Sequence, residues 1–241
     1  KSRWVRIRWA VRGICLIAVI MVAPAALAQG KAPKVDLSIA SSVAVVAPGE
    51  PFELALKFQI PDGFHIYWEN PGDSGLAPKV GWKMPEGFGA GRLLFPAPQL
   101  HKTSVLVTNV LKGSPIFLTT ITPSKDTAVG SSVTIEADVS WLVCKESCFR
   151  GSRKVSITLP VAESSLPGEN AILFKMAHRA MPVPSDKASY VTIKPTVSKA
   201  AIQKGDAFDV LLDVLDQEAC FPEGKVDPNE IAVFLRNVGL Y

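Results

Sequence analysis

The chain has 241 residues, 48% of them apolar, 20% charged and 8% aromatic, which suits one or two globular domains and excludes a disordered, collagenous or coiled-coil protein. Its net charge of +4 sits in the first twelve residues, where Lys1, Arg3, Arg6, Arg8 and Arg12 meet no acid; the remainder holds 21 basic against 22 acidic residues. That subtraction removes the electrostatic case for a nucleic-acid partner.

After the cations comes an uncharged apolar run from Gly13 to Val22, then Ala23-Pro24-Ala25-Ala26-Leu27-Ala28, with small side chains at Ala26 and Ala28 where a signal peptidase would read them. The run is well short of the ~20 apolar residues that cross a bilayer. Residues 1–28 are therefore expected to be a secretory signal peptide cleaved after Ala28, with a translated start upstream of Lys1. Cys15 leaves with that segment. The mature chain keeps Cys144, Cys148 and Cys220 in an oxidising compartment, which parses as one pair and one spare.

From Val35 onward apolar and polar residues alternate, most clearly through Phe52, Leu54, Leu56, Phe58 and Ile60 and again through Val133, Ile135, Ala137, Val139 and Trp141. These are half-buried strands. Further apolar runs at 64–68, 92–95, 105–111, 116–121 and 155–159 are separated by turn-forming clusters such as Pro61-Asp62-Gly63. The pattern predicts a mainly β, antiparallel sandwich over 33–161. Residues 169–181 place Ile172, Leu173, Met176, Ala177 and Ala180 at helical spacing, followed by strands near 189–194, 207–215 and 231–235. Residues 162–241 thus read as a linker helix and an incomplete second β unit, thin for a core of its own, and the chain is expected to continue past Tyr241.

Cys144-Lys145-Glu146-Ser147-Cys148 falls between two predicted strands, where the chain can fold back and bring the two Cα atoms within disulfide reach. A loop so short gives less chain-entropy stabilisation than a bridge between distant strands, which favours redox exchange over a purely structural staple. Lys145, Arg150 and Arg153 would lower a nearby thiol pKa and Glu146 would oppose them. A stapled surface hairpin remains open, and so does a Cu(I) site completed by His65 or Met84. Trp68, Trp82 and Trp141 read as core or rim aromatics. Asn70 to Pro78 is a shaped loop or a cover over the cysteines, and His101 and His178 have no cluster to join.

The block Phe64-His65-Ile66-Tyr67-Trp68-Glu69-Asn70-Pro71-Gly72-Asp73-Ser74-Gly75-Leu76-Ala77-Pro78, then Phe95-Pro96-Ala97-Pro98 and Trp141-Leu142-Val143-Cys144-Lys145-Glu146-Ser147-Cys148, resembles the periplasmic N-terminal domain of the DsbD/ScsB disulfide reductases, most closely the ScsB group. The resemblance spans about 33–161. It implies an immunoglobulin-like sandwich in the periplasm whose cysteine pair, here Cys144 and Cys148, takes electrons from a membrane-embedded donor and gives them to periplasmic thioredoxin-fold proteins, without a dissociable cofactor. His65 and Tyr67 match the aromatic strand positions beside the family's cysteines, and two-residue spacing does put them on one sheet face. His65 would act there as an imidazolium beside a thiolate or as a proton relay, or be no more than a histidine satisfied by its own sheet neighbours. Cys148 would be the residue that joins the partner. Copper tolerance and cytochrome c biogenesis are contexts that the resemblance brings with it.

The sequence departs from the family pattern at Cys148-Phe149-Arg150-Gly151, where a Pro usually follows closely, and at Thr108-Asn109-Val110, which replaces a Gly-Tyr element. The family's membrane and thioredoxin-like domains are not in these residues. If the 241 residues were the whole protein, a separate membrane partner would have to supply the electrons.

Overall fold

The computed structural model describes residues 32–183, 191–197 and 210–216. The described residues are mostly strand. A four-stranded sheet carries β1 (Asp36–Ser41), β3 (Phe52–Gln59), β9 (Ile116–Thr122) and β6 (Gly89–Ala90) in the order β1-β3-β9-β6. A second sheet has the order β11-β10-β5, from β5 (Lys79–Lys83), β10 (Ser132–Cys144) and β11 (Cys148–Pro160). A third has the order β4-β8-β7, from β4 (Ile66–Gly72), β7 (Gln99–Lys102) and β8 (Val107–Leu111). All pairings within these sheets are antiparallel, as the alternation predicts.

Period-two burial builds the sandwich. In β10 the odd-numbered residues from Val133 to Val143 are buried, whereas the even-numbered ones from Ser132 to Ser140 are exposed. Ala137, Val139, Trp141 and Val143 of this set meet Leu56 and Phe58 of β3, Phe117 of β9 and Ile66 and Trp68 of β4 in one apolar core, while Val133 and Ile135 join Phe52 and Leu54 in a second. Phe58 lies edge-on to Trp141 with ring centroids 5.3 Å apart, an arrangement that favours the aromatic quadrupoles as well as the burial. Trp68 and Trp141 are buried in this core and Trp82 packs against it, as expected of core and rim aromatics. The short strand β12 (Leu166–Pro167) pairs with β2 (Val43–Val45).

Helix α1 (Ala171–Ala180) falls where helical spacing places it, but only the Leu173 and Ala177 part of the expected stripe meets the sheet. Phe174 and Ala177 pack on Ala55, Ile116 and Leu118, while Ile172 and Met176 are exposed. The aromatic ring of Phe174 offers more apolar area to the sheet than either aliphatic side chain and sets the rotation of the helix. His178, assigned no role from sequence, pairs with Glu53 at 2.8 Å. Strands β13 (Val191–Val197) and β14 (Val210–Asp216) pair antiparallel close to where two strands are expected. The expected strand at 231–235, the segment 1–28 and Cys220 lie outside the described residues.

Candidate functional site

The two cysteines are the last residue of β10 and the first of β11, joined by the three-residue turn Lys145 to Ser147, and they form a disulfide. On its other side Cys144 is paired with His65: each residue's N–H donates to the other's carbonyl at 2.9 Å. Because both backbone polar groups of Cys144 face His65, its pairing with Cys148 is of the non-hydrogen-bonded kind, in which opposed Cα atoms come closest. The separation is 4.1 Å. The register thus lines up Cys148, Cys144 and His65 across three neighbouring strand segments, with their side chains on one face.

That face is not the core face. Cys144 belongs to the even-numbered set of β10, which points away from the sandwich core, yet it is only 2% exposed. Tyr67, Val110 and the partly buried Leu142 enclose it in a small apolar cluster of their own. Cys148 is exposed. The Tyr67 hydroxyl donates to Cys144 Sγ at 3.4 Å and lies 4.0 Å from Cys148 Sγ. Burial pushes the Tyr67 pKa up, so its O–H stays a donor at neutral pH. Behind the ring, Gly75 holds a backbone φ of +112°, and a Cβ there would come within 2.2 Å of Tyr67, so only glycine lets the 73–77 segment close over the aromatic face.

His65 is buried and meets Tyr67 edge-on at 5.4 Å between ring centroids. Burial first, then the neighbouring charges of His101 and Lys112, pushes its pKa down to about 4. Beside the disulfide the His65 ring is therefore held in its neutral form at neutral pH. His101, which sequence leaves without a role, stacks on His65 at 5.0 Å from β7. Nothing in its local sequence signals this, because the contact depends on how β7, β8 and β4 pair. Met84 packs instead with the cluster of Phe52, Leu54 and Ile135, which does not contain the cysteines. Arg153 is engaged by Asp36 at 2.8 Å, leaving Lys145 and Arg150 as the cations nearest the pair along the hairpin. Among the described residues no group of three or more His, Cys, Asp or Glu could hold a metal ion.

The sequence pattern for the N-terminal region of the thiol:disulfide interchange protein DsbD matches residues 35–160. This chain belongs to that family. The DsbD N-terminal match begins at β1 and ends at β11, so it takes in the whole cysteine hairpin and both His65 and Tyr67. The described residues have the family's immunoglobulin-like, antiparallel build. Among solved structures the chain is similar to the N-terminal periplasmic domain of ScsB from Proteus mirabilis, at 17% identity and TM-score 0.45, covering 74% of this chain and 79% of that one. It is also similar to the reduced N-terminal domain of DsbD from Neisseria meningitidis, at 14% identity and TM-score 0.30, covering 54% and 91%. No curated protein matches the chain. Membership and the cysteine pair together support thiol:disulfide interchange as the general activity. Among the described residues no helix is long and apolar enough to cross a membrane.

Proposed function

We propose that this chain is exported to the periplasm, where the Cys144–Cys148 pair relays electrons from a membrane-embedded donor to thioredoxin-fold partners. The observation that carries the reading is the asymmetry of the pair: one cysteine exposed, the other buried with its sulfur against a tyrosine hydroxyl. In the reduced chain the Cys148 thiolate attacks a partner disulfide, forming a mixed disulfide and releasing one partner thiolate. The Cys144 thiolate then attacks Cys148 Sγ and releases the second. The chain ends as its disulfide, and the partner gains two electrons and, on protonation, two protons.

Each neighbour has a part in this scheme. Tyr67 donates to the sulfur that must carry negative charge before the second step, which lowers the cost of the buried thiolate. Neutral His65 fixes the Cys144 backbone through its paired amides and adds no charge. The 73–77 segment over Tyr67 keeps small oxidants from the buried sulfur. Signal-peptide export, cleavage after Ala28 and a second unit after residue 161 belong to the same proposal, supported by the amino-terminal charge and hydropathy pattern.

The test is a redox titration of the purified chain in glutathione buffers, then mixing its reduced form with an oxidised periplasmic thioredoxin-fold protein. A potential above about −300 mV, with transfer lost in Cys144→Ser and Cys148→Ser, is the expected result. A pair that glutathione cannot reduce, or that reduces without passing electrons on, would leave a stapled binding module as the better account.

A further inference from the structure

The outward pairs of the β10–β11 hairpin continue past the disulfide. One step back from Cys144–Cys148 comes Leu142 opposite Arg150, and one further step brings Ser140 opposite Ser152 and beside Lys79. Over these pairs lies a groove of about 360 Å³, closed on one side by Leu76 and Ala77 of the segment that covers Tyr67. Its apolar part is Leu142 and Trp141 with Leu76 and Ala77. Its two charged lining residues are Lys79 and Arg150, both exposed, and among the described residues neither has an ion-pair partner. The nearby acids lie elsewhere: Glu146 is in the turn on the far side of the disulfide, and Asp138, a further step along, is engaged by Lys154 at 3.8 Å.

We propose that this groove selects the partner, by receiving the peptide segment that flanks the partner's reacting cysteine and preferring one that carries an apolar side chain and a carboxylate. The inference rests on the redox reading and deepens it. Two strand positions advance about 6.8 Å, so residues two to four places from the partner's cysteine lie over the groove when its sulfur meets Cys148. There an apolar side chain covers Leu142 and a carboxylate meets two cations that have no ion-pair partner among the described residues. Such complementarity acts mainly on encounter and orientation, so it appears in the rate of exchange and fades with salt.

The experiment uses the full chain, reduced and freed of reductant, and two synthetic nonapeptides. Each has one cysteine held as its thionitrobenzoate mixed disulfide with leucine two residues away; the outer positions are aspartate in one and lysine in the other. Hydroxyethyl disulfide, small and uncharged, is the control. At low ionic strength the acidic peptide is expected to react about tenfold faster than the basic one, with the ratio falling toward one in Lys79→Ala/Arg150→Ala and in 0.5 M salt. Taking a ratio of two peptides cancels any change that Arg150→Ala makes to the reactivity of Cys148 itself. Equal rates for the two peptides, or a ratio that survives the double substitution, would overturn the groove. Failure to react with hydroxyethyl disulfide would overturn the redox reading beneath it, so the two failures are distinguishable.

Discussion

The two faces of the β10–β11 hairpin obey one alternation and have opposite uses. Its inward residues from Ala137 to Val143 disappear into a large core shared by three sheets, where burial of apolar area is the whole of their contribution. Its outward residues are exposed along most of β10, but at the tip the β4–β8–β7 sheet folds over and encloses Cys144 with Tyr67 and Val110. The core face has no reactive side chain, and the tip has little apolar area beyond what covers one sulfur. Stability and reactivity are thereby separated onto opposite sides of two strands, which lets the tip change its redox state without unpacking the core.

The largest effect should come from breaking the tip chemically. Cys148→Ser is expected to abolish electron transfer, while Cys144→Ser should leave an unresolved mixed disulfide with the partner, visible on a non-reducing gel. Trapping by Cys148→Ser instead would reverse the two roles. On the core side Phe58→Ala removes a fully buried ring that meets Phe117 and Trp141. It should cost about 3–5 kcal/mol in urea unfolding, whichever redox state is tested. If reduction alone produced a comparable loss, the separation between core and tip would be wrong.

Smaller effects sharpen the comparison. Gly75→Ala puts a methyl into the Tyr67 ring, so the 73–77 segment must shift; alkylation of reduced Cys144 should quicken several-fold, with urea stability changed by only about 1 kcal/mol. Tyr67→Phe keeps the ring and deletes the donor to sulfur. The Cys144 thiol pKa is expected to rise by about one unit, read from thiolate absorbance across pH.

The pH dependence of His65 is the subtlest. Its pKa is about 4 in the folded chain, below the ordinary histidine value of 6.5, so between these values the unfolded chain binds the extra proton. Stability contributed by the neutral ring is present above pH 6.5 and is lost as pH falls toward 4. His65→Gln should flatten the stability profile in that window by at most about 1.4 kcal/mol per pH unit. A profile unchanged by the substitution would remove burial as the cause of the shift.

The strands whose apolar and polar residues alternate were legible because periodicity is a local property: β3 and the root of β10 follow from their apolar spacing alone, and β9 from a short apolar run. The cysteine hairpin was legible too, since two strand patterns separated by three residues leave little freedom for the chain between them. His65 and Tyr67 share a face by spacing, but that this face holds Cys144 depends on a pairing between residues 65 and 144, which no local pattern encodes. The same holds for His101, Val110 and the groove lined by Leu142, Lys79 and Arg150. In the helix, spacing located the element and tertiary contact chose its buried stripe, because Phe174 fits the sheet better than Ile172 or Met176.

By itself, then, the sequence determined the β character, the place of the cysteine pair and the amino-terminal charge pattern, all of them set by residues within a few positions of one another. Only the tertiary structure decided that Cys144 is buried and Cys148 exposed, that burial favours the neutral form of His65, and that Lys79 and Arg150, without an ion-pair partner among the described residues, line a groove beside the disulfide. Those properties are fixed by desolvation and neighbouring charge, and both come from segments distant in the chain, as Tyr67 and Cys144 are at 77 residues apart.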